Sequence, residues 1–402
     1  MPRSDANDVF TTVLRLKDPW FVENVTAEPG LVTVTVSVRA NSVIPCPVCG
    51  NVCKVHDRIE RTWRHTDVCD SECLIKAGIP RSDCPKCGVK QIEVPWAREN
   101  VGFTESFERK AMALMSRMPV SKAAEAMRAG RWVLEGILRY HVGKGLDRLD
   151  LSGVRDIMVD ETSSKRGHSY ITVITEAGSG RIIFATEGKG ADSLEKFSEW
   201  LEDHGGDPRK IRNVSCDLSI SFVSGVEEHL PRANIVYDRF HLVKMANDAL
   251  DKIRSANQIN GQRHKWIRFS LLRNSADLSD EDKEKIFNIK EDNAVIGRAY
   301  EMKESLLQLY DYPDMSSAAE HIRQWLEWVA EEGERKMKDL GKTVSEHRQK
   351  ILNWYNGGMS NGFLEGLNGM IQTTKRIARG YRNIRNFITM IYFRHGRLDI
   401  GV

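Results

Sequence analysis

Two groups of side chains in this sequence have the types and spacing to bind metal ions. The first group is acidic. Ile157-Met158-Val159 runs straight into Asp160-Glu161. Three large apolar residues in a row fit a strand buried on both faces, and charges just past its end stand where core meets open cleft. Taken alone, the acidic pair reads first as a solvated turn. Ile211 to Asp217 is a second strand-like stretch that closes on a carboxylate. Glu365 stands in Asn361-Gly-Phe-Leu-Glu365-Gly-Leu-Asn368-Gly-Met-Ile-Gln372. At helical spacing Phe363, Leu364, Leu367 and Ile371 form the buried face, which leaves Asn361, Glu365, Asn368 and Gln372 together on the other. A lone glutamate on a helix is ordinarily solvated surface; one flanked by amides and glycines is offered to a cleft.

The second group is made of thiols. Cys46-Pro-Val-Cys49-Gly50 and Cys84-Pro-Lys-Cys87-Gly88 are two knuckles separated by 34 residues, positions 50 to 83. Each Cys-x-x-Cys turn points two thiolates at one spot, the following glycine permits the tight backbone, and two turns complete a closed tetrahedral zinc site. The long separation calls for a β-hairpin between the knuckles, as in a zinc ribbon. Cys53, His56, His65, Cys69 and Cys73 fall in that insert and read as buried or free side chains rather than a second metal site. The Pro45-Cys46-x-x-Cys49 run also matches half of a zinc deaminase signature. That signature needs an upstream His-x-Glu, and the first histidine here is His56, downstream.

The elements that must position these groups follow from periodicity. Val32, Val34, Val36 and Val38 alternate with polar residues in a half-buried strand, paired across Glu28-Pro29-Gly30 with an earlier stretch from Thr12 to Val25. From Thr104, an N-cap, a helix carries Phe107, Ala111, Leu114, Met115 and Met118 on one face and ends at Pro119. Ser121 caps a short helix to Arg128, Ala129-Gly130 turns, and Arg131 to His141 forms a third with Val133, Ile137 and Leu138 inward. Helix, short helix, turn, helix is the helix-turn-helix plan, shared by other small bundles, and Arg131, Arg139 and Lys144 would reach DNA from its last helix.

After Asp160, His168 to Thr175 and Arg181 to Thr186 read as two strands joined at Gly178-Ser179-Gly180. Asp192 to His204 reads as an amphipathic helix before the strand that ends at Asp217, and strand Ala233 to Tyr237 follows. Strand, strand, strand, helix, strand is the order of the RNase H-like fold. If the first and fourth strands lie side by side, Asp160 and Asp217 converge although 57 residues apart. From about Lys252 to Lys350 the chain is nearly all helical, with caps at Ser279 and Ser317-x-x-Glu320.

The fold class is thus α/β: an RNase H-like mixed sheet with a large helical insertion, preceded by a β and zinc-ribbon element and a helix-turn-helix domain. The boundaries expected are 1–43 for the β element, 44–98 for the zinc ribbon, 102–150 for the helix-turn-helix, and 154–400 for the catalytic domain with its insertion at about 252–350. The 402 residues carry a net charge of only +3, so a nucleic-acid surface has to come from local segregation of charge. Lys375 to Arg397 supplies it, with seven Lys and Arg, no acidic residue, and Tyr381, Phe387, Tyr392 and Phe393 interleaved. Lys375, Arg376, Arg379, Arg382 and Arg385 are its expected phosphate contacts. No apolar run approaches the ~18 residues of a membrane span, so a cytoplasmic protein is expected.

Val-Asp160-Glu161, Gly167-His168-x-Tyr170, Cys216-Asp217, Asp238-Arg239-Phe240-His241, Asn361-Gly-x-x-Glu365-Gly-x-Asn368 and Arg379-Gly-Tyr-Arg-Asn383 together resemble the ISL-three family of bacterial insertion-sequence transposases. The likeness runs from the zinc ribbon almost to the C-terminus, in the family's order. It implies a DDE triad at Asp160, Asp217 and Glu365. It also implies DNA as partner, both the terminal inverted repeats of an element and the target, with a homo-oligomer assembled on DNA in the bacterial nucleoid. Three converging carboxylates repel one another, and divalent cations relieve that repulsion, so Mg²⁺ or Mn²⁺ is the catalytic cofactor expected beside structural Zn²⁺. His168, Arg239 and His241 are further residues that orient phosphate or a ligand, or serve structure. The rival readings are a DNA-binding regulator that has lost its chemistry and a simple nuclease.

Overall fold

The computed structural model describes residues 5–164, 169–217, 219–257, 267–357 and 362–401. The chain divides into two compact units, Met1–Lys144 with Ile400–Val402, and Gly145–Asp399.

The first unit is organised on a mixed sheet. Strands β1 (Trp20–Glu28) and β2 (Leu31–Val38) form the expected hairpin, turning at Gly30 with φ 82°. Its start differs from expectation. Asp5 accepts the Asp8 N–H and caps a helix, Ala6–Val13, so Thr12 and Val13 belong to that helix and not to the strand. Short β3 (Ile44–Pro45) precedes the long β4 (Val52–Val68) and β5 (Ser71–Cys84), which pair antiparallel between the cysteine knuckles, and β6 (Gly88–Gln91) pairs with β5. The strand order is β1-β2-β5-β4-β3. The N-terminal hairpin and the zinc-ribbon hairpin, separate in sequence, are therefore one sheet, joined by β2 and β5 in parallel register from Leu31 opposite Glu72 to Val36 opposite Ala77. Alternation makes this possible: Val34, Val36, Ile75, Ala77 and Ile79 turn to one core, closed by Trp96 edge-on to Trp20 and Trp63 at 5.0 and 5.4 Å.

Three helices follow, Glu105–Arg117, Val120–Ala126 and Arg131–Asp147. Thr104 is the N-cap expected, accepting the Phe107 N–H at 3.2 Å, and it also meets buried His65 Nδ1 at 2.8 Å. Ser121 is not a cap. Pro119 occupies that position with extended backbone, because its fixed φ suits the residue before a first turn. The third helix runs six residues beyond His141, to Asp147, and buries Val133, Leu134, Ile137 and Leu138. The sheet holds the turn between the second and third helices: Arg128, in a left-handed conformation, donates to Asp67 and to the Asp70 carbonyl at the β4–β5 turn. Beneath the helices Glu108, 1% exposed, accepts Arg98 Nε at 2.9 Å and meets His141 Nε2 at 2.8 Å. A buried carboxylate persists only when paired in this way.

The second unit holds β7 (Asp156–Ser163), β8 (Tyr170–Glu176), β9 (Ile182–Glu187), β10 (Asn213–Cys216) and β11 (Asn234–Tyr237) in the order β11-β10-β7-β8-β9. β7, β8 and β9 are an antiparallel meander, whereas β10 and β11 run parallel with β7. This is the RNase H-like order. One face carries Ile157, Val159, Val214 and Cys216 against Leu194, Phe197 and Leu201 of the helix Ala191–Asp203 and Phe222 and Val226 of the helix Ile220–His229. The other face meets C-terminal helices: Met158 and Val236 pack with Trp354, and Tyr392 Oη of the helix Ile384–His395 accepts the Ala185 N–H at 2.8 Å.

The expected helical insertion has a core of its own, seeded by Leu242, Ala246 and Leu250 of the helix Arg239–Ala256 and filled by Ile322, Trp325 and Val329 among others. Ser279 caps as expected. Ser317 does not: Asp314 accepts the Ser317 N–H at 2.9 Å and starts that helix at Met315, which leaves Glu320 to pair with Arg323.

Candidate active site and metal centre

The four knuckle thiols come together. The sulfur atoms of Cys46, Cys49, Cys84 and Cys87 all lie within 4.8 Å of one another, with Cys49 and Cys84 Sγ 3.6 Å apart. A tetrahedron with Zn–S bonds of ~2.3 Å has edges of about 3.8 Å, so the donor set and its size fit zinc. Gly50 and Gly88 each take φ near +73°, the left-handed turn needed at the back of a knuckle. The backbone N–H of Cys87 leads the groups that pull the Cys84 thiol down to about 6, so its thiolate is accessible to a metal at neutral pH. Cys73 is buried with its thiol pushed up to about 11, Cys69 is exposed at the β4–β5 turn, and His65 is held by Thr104. Among the described residues the four knuckle cysteines are the one group of three or more such side chains close enough to share a metal.

The acidic centre is set by strand register. Asn213 lies opposite Asp156 and Ser215 opposite Met158, an offset of 57 that Asp217 and Asp160 share. Carried one step past the end of β10, that register puts the two carboxylate-bearing residues on neighbouring parallel strands, ~4.8 Å apart along the hydrogen-bonding direction. Both are half-buried. Alternation decides which of the two consecutive acids faces which way. Glu161 is opposite Thr172, whose hydroxyl bonds Ser193 of the helix Ala191–Asp203, whereas Asp160 shares the face of Met158 and Thr162, under the C-terminal helices. Burial raises the Glu161 carboxyl above its usual range, and the charges of Asp217 and Asp160 push the same way.

A third aspartate, not singled out as a site residue from the sequence, stands on the same rung. β11 follows β10 at an offset of 21, from Asn213 opposite Asn234 to Cys216 opposite Tyr237, which sets Asp238 beside Asp217. Its oxygens are committed. Oδ1 accepts the Phe240 N–H at 3.0 Å, capping the next helix, and Oδ2 meets His241 Nδ1 at 2.7 Å. That hydrogen bond raises the His241 pKa, helped by the charges of Asp217 and Asp160, so the imidazole lies in the field of the acid pair. Arg239 instead lays its guanidinium over the Tyr310 ring, 4.7 Å from its centroid.

The helix Gly362–Ile377 packs against the end of β7. Gln372 Nε2 donates to Thr162 Oγ1 at 2.5 Å and Lys375 Nζ to the Ser163 carbonyl at 2.7 Å, so Lys375 ties helix to strand. Glu365 is on this helix; its carboxylate, like Asn361 and His168, lies outside the described residues. Arg376, Arg379, Arg382 and Arg385 are exposed. In the first unit Arg131 and Arg139 are exposed too, but both reach Glu135: Arg131 Nε meets its carboxylate at 2.7 Å and Arg139 Nε its carbonyl at 3.2 Å. Lys144 is exposed on the same helix.

Three family descriptions match along the chain. Residues 42–91 match the zinc-finger of transposase IS204/IS1001/IS1096/IS1165, and residues 92–142 match the helix-turn-helix domain of transposase family ISL3. Residues 157–391, more than half of the chain, match the transposase domain of the same family. The chain belongs to the ISL3 family of transposases. The transposase is 28% identical over 411 aligned residues to the transposase for insertion sequence element IS1557 of Mycobacterium tuberculosis, an alignment covering 93% of this chain and 91% of the relative. It is 23% identical over 359 residues to the transposase for insertion sequence element IS1001 of Bordetella parapertussis, covering 87% and 88%. No helix among its described residues is long and apolar enough to cross a membrane.

Proposed function

We propose that this transposase cuts DNA at the ends of its element and joins the freed ends to target DNA, with Asp160, Asp217 and Glu365 as the working carboxylates. The shared offset of 57 between β7 and β10 carries the reading, because it brings Asp160 and Asp217 to one rung at the open end of the sheet. Glu365 enters through the direction of its helix. Gln372 meets Thr162 and Lys375 meets Ser163, so helix and strand advance in the same sense. Seven residues back from Gln372, position 365 lies ~10.5 Å toward the start of that helix. Thr162 back to Asp160 is ~7 Å along the strand.

The donor set is hard carboxylate oxygen, which suits Mg²⁺ or Mn²⁺, and their cationic charge relieves repulsion between Asp160 and Asp217. Bound there, such ions supply charge stabilisation for in-line phosphoryl transfer. The chain supplies the geometry. Asp160 and Asp217 are held at fixed separation by the sheet, and the Gln372 and Lys375 contacts pin the third carboxylate's helix to β7. Water attacks the phosphate at the element end, the P–O3′ bond breaks, and the 3′-oxygen leaves with a proton. That 3′-hydroxyl then gives up its proton and attacks a target phosphate, whose own P–O3′ bond breaks so that the target's 3′-oxygen leaves as a new 3′-hydroxyl. Arg376, Arg379, Arg382 and Arg385 contact flanking phosphates without reading sequence. Residues 102–150 read the element ends, 44–98 hold the structural zinc, and 154–400 perform the chemistry, within a homo-oligomer assembled on nucleoid DNA.

The test is purified protein with Mg²⁺ and DNA carrying the parent element's ends. Cleavage and joining are expected, and Asp160→Asn, Asp217→Asn and Glu365→Gln should each reduce them on the order of 10³-fold or more. DNA binding should survive, and a double variant should be little worse than a single one. Wild-type protein that binds the ends but never cuts them would make the chain a silent regulator. Near wild-type cleavage by Glu365→Gln would remove that residue and leave Glu161 as the next acid to test.

A further inference from the structure

Among the described tryptophans Trp132 alone is exposed, with 74% of its surface open. It is the second residue of the helix Arg131–Asp147, the last of the three in the helix-turn-helix segment. Single exposed apolar side chains are ordinary on a protein surface, but this one has a built setting. Its indole lies back over the turn, so close that a Cβ on Gly130 would come within 2.6 Å of Trp132 Nε1. Any side chain at position 130 would have to displace the ring. One turn further along the same face, a Cβ on Gly136 would have nothing within 4 Å, so the helix surface beside the indole is bare and open. Arg131 next to it spends Nε on Glu135. At the start of this helix an exposed aromatic ring thus stands beside an exposed arginine whose Nε is turned to Glu135.

In helix-turn-helix proteins the N-terminal residues of the last helix meet base edges in the major groove. The apolar feature there is the thymine methyl group. A Trp side chain also has the size to exclude water from such a contact, burying on the order of 200 Å². We propose that Trp132 is a base-reading residue of this transposase, its indole packing on a thymine methyl in the major groove of the element end and so setting end selectivity. This rests on the reading that residues 102–150 bind the element ends. The exposed Arg131, Arg139 and Lys144 then serve the phosphates on either side.

The experiment uses full-length protein and fluorescence anisotropy at one salt concentration, with a duplex carrying the element end and a scrambled duplex. Trp132→Ala should lower affinity for the end about 10-fold or more while leaving the scrambled duplex unaffected, and Trp132→Phe should fall between. Replacing the end's thymines one at a time by uracil removes single methyl groups. One such replacement should weaken binding of the wild type and have no further effect on Trp132→Ala, a coupling that a merely structural tryptophan would not produce. Zinc content and melting should stay unchanged, since the side chain is exposed. A Trp132→Ala protein as selective as wild type overturns the inference while end recognition stands. The same selectivity with a changed oligomeric state would mark the ring as a protein contact and also overturn it. Wild-type protein that does not discriminate end from scrambled DNA removes the underlying reading, and this inference with it.

Discussion

The zinc centre takes all four ligands from the two ends of one hairpin, whereas the acidic centre we propose draws on segments 57 and 148 residues apart in sequence, Asp160 to Asp217 and Asp217 to Glu365. The first is a local solution. Antiparallel pairing of β4 with β5 brings the knuckles together, and each knuckle is closed by its own glycine. The second depends on long-range packing. β10 comes to lie parallel beside β7 only because the helix Ala191–Asp203 crosses between them and buries Leu194, Phe197 and Leu201 against Ile157, Val159 and Val214. Closing such loops costs entropy that grows slowly with length, and buried apolar surface offsets it. A site built locally can be lost by removing its metal, while a site built on a sheet should survive loss of its ligands with the fold intact.

The largest effect that would break this comparison is zinc removal. Cys84→Ser with Cys87→Ser, or a strong chelator, should abolish zinc content and cooperative melting of the first unit, since structural zinc is worth ~10 kcal/mol or more of folding free energy. Calorimetry should show the transition of the Gly145–Asp399 unit in place. If both transitions stay where they were, zinc is not what holds the first unit.

A smaller effect compares the units through two histidines withdrawn from solvent, His65 buried and His395 half-buried. Burial, with the charges of Arg64 and Arg109, holds His65 down at about 4 in the first unit, and burial with Arg394 does the same to His395 in the second. Unfolded, each takes up a proton near 6.5. Between about 6.5 and about 4 the unfolded chain therefore binds more protons, and stability falls as pH drops through that window. For His65 the loss amounts to roughly 3 kcal/mol. His65→Gln should flatten the acid dependence of the first transition alone, and His395→Gln that of the second alone. An unchanged acid slope in His65→Gln would assign the loss to other groups.

The smallest effect separates the DNA-binding surfaces. Arg379→Ala and Arg382→Ala should weaken binding to every duplex and reduce the salt slope by about one unit for each phosphate that is no longer neutralised. End preference should be untouched, the opposite of the outcome for Trp132→Ala. Loss of end selectivity in the arginine variants would reverse the division of labour between the units.

Much of this was legible in the chain because it is written in local spacing. The paired Cys-x-x-Cys knuckles, the Thr104 cap, the alternation of Val34, Val36 and Val38, and the Asp at the ends of two apolar runs all depend on neighbours a few residues away. Where two local signals compete, sequence chose wrongly. Ser317 reads as an N-cap from its spacing to Glu320, but Asp314, three residues earlier, accepts the Ser317 N–H and starts the helix at Met315. Arg131 looked free until the helix placed Glu135 one turn away.

Tertiary structure alone decided three further matters. Parallel pairing of β2 with β5 merged two hairpins into one sheet, because both turn alternating apolar residues to the same core. Register ranked the acids: the β7–β10 offset carried past Ser215 sets Asp217 beside Asp160, Glu161 is turned by alternation to the opposite face, and Asp238 stands on the rung with its oxygens engaged by Phe240 and His241. Exposure then distinguished Trp132 from the buried and half-buried tryptophans. Residue type and spacing fix what a side chain can do; which face it occupies, and whether its polar atoms are already satisfied, depends on distant segments that meet only in the folded chain.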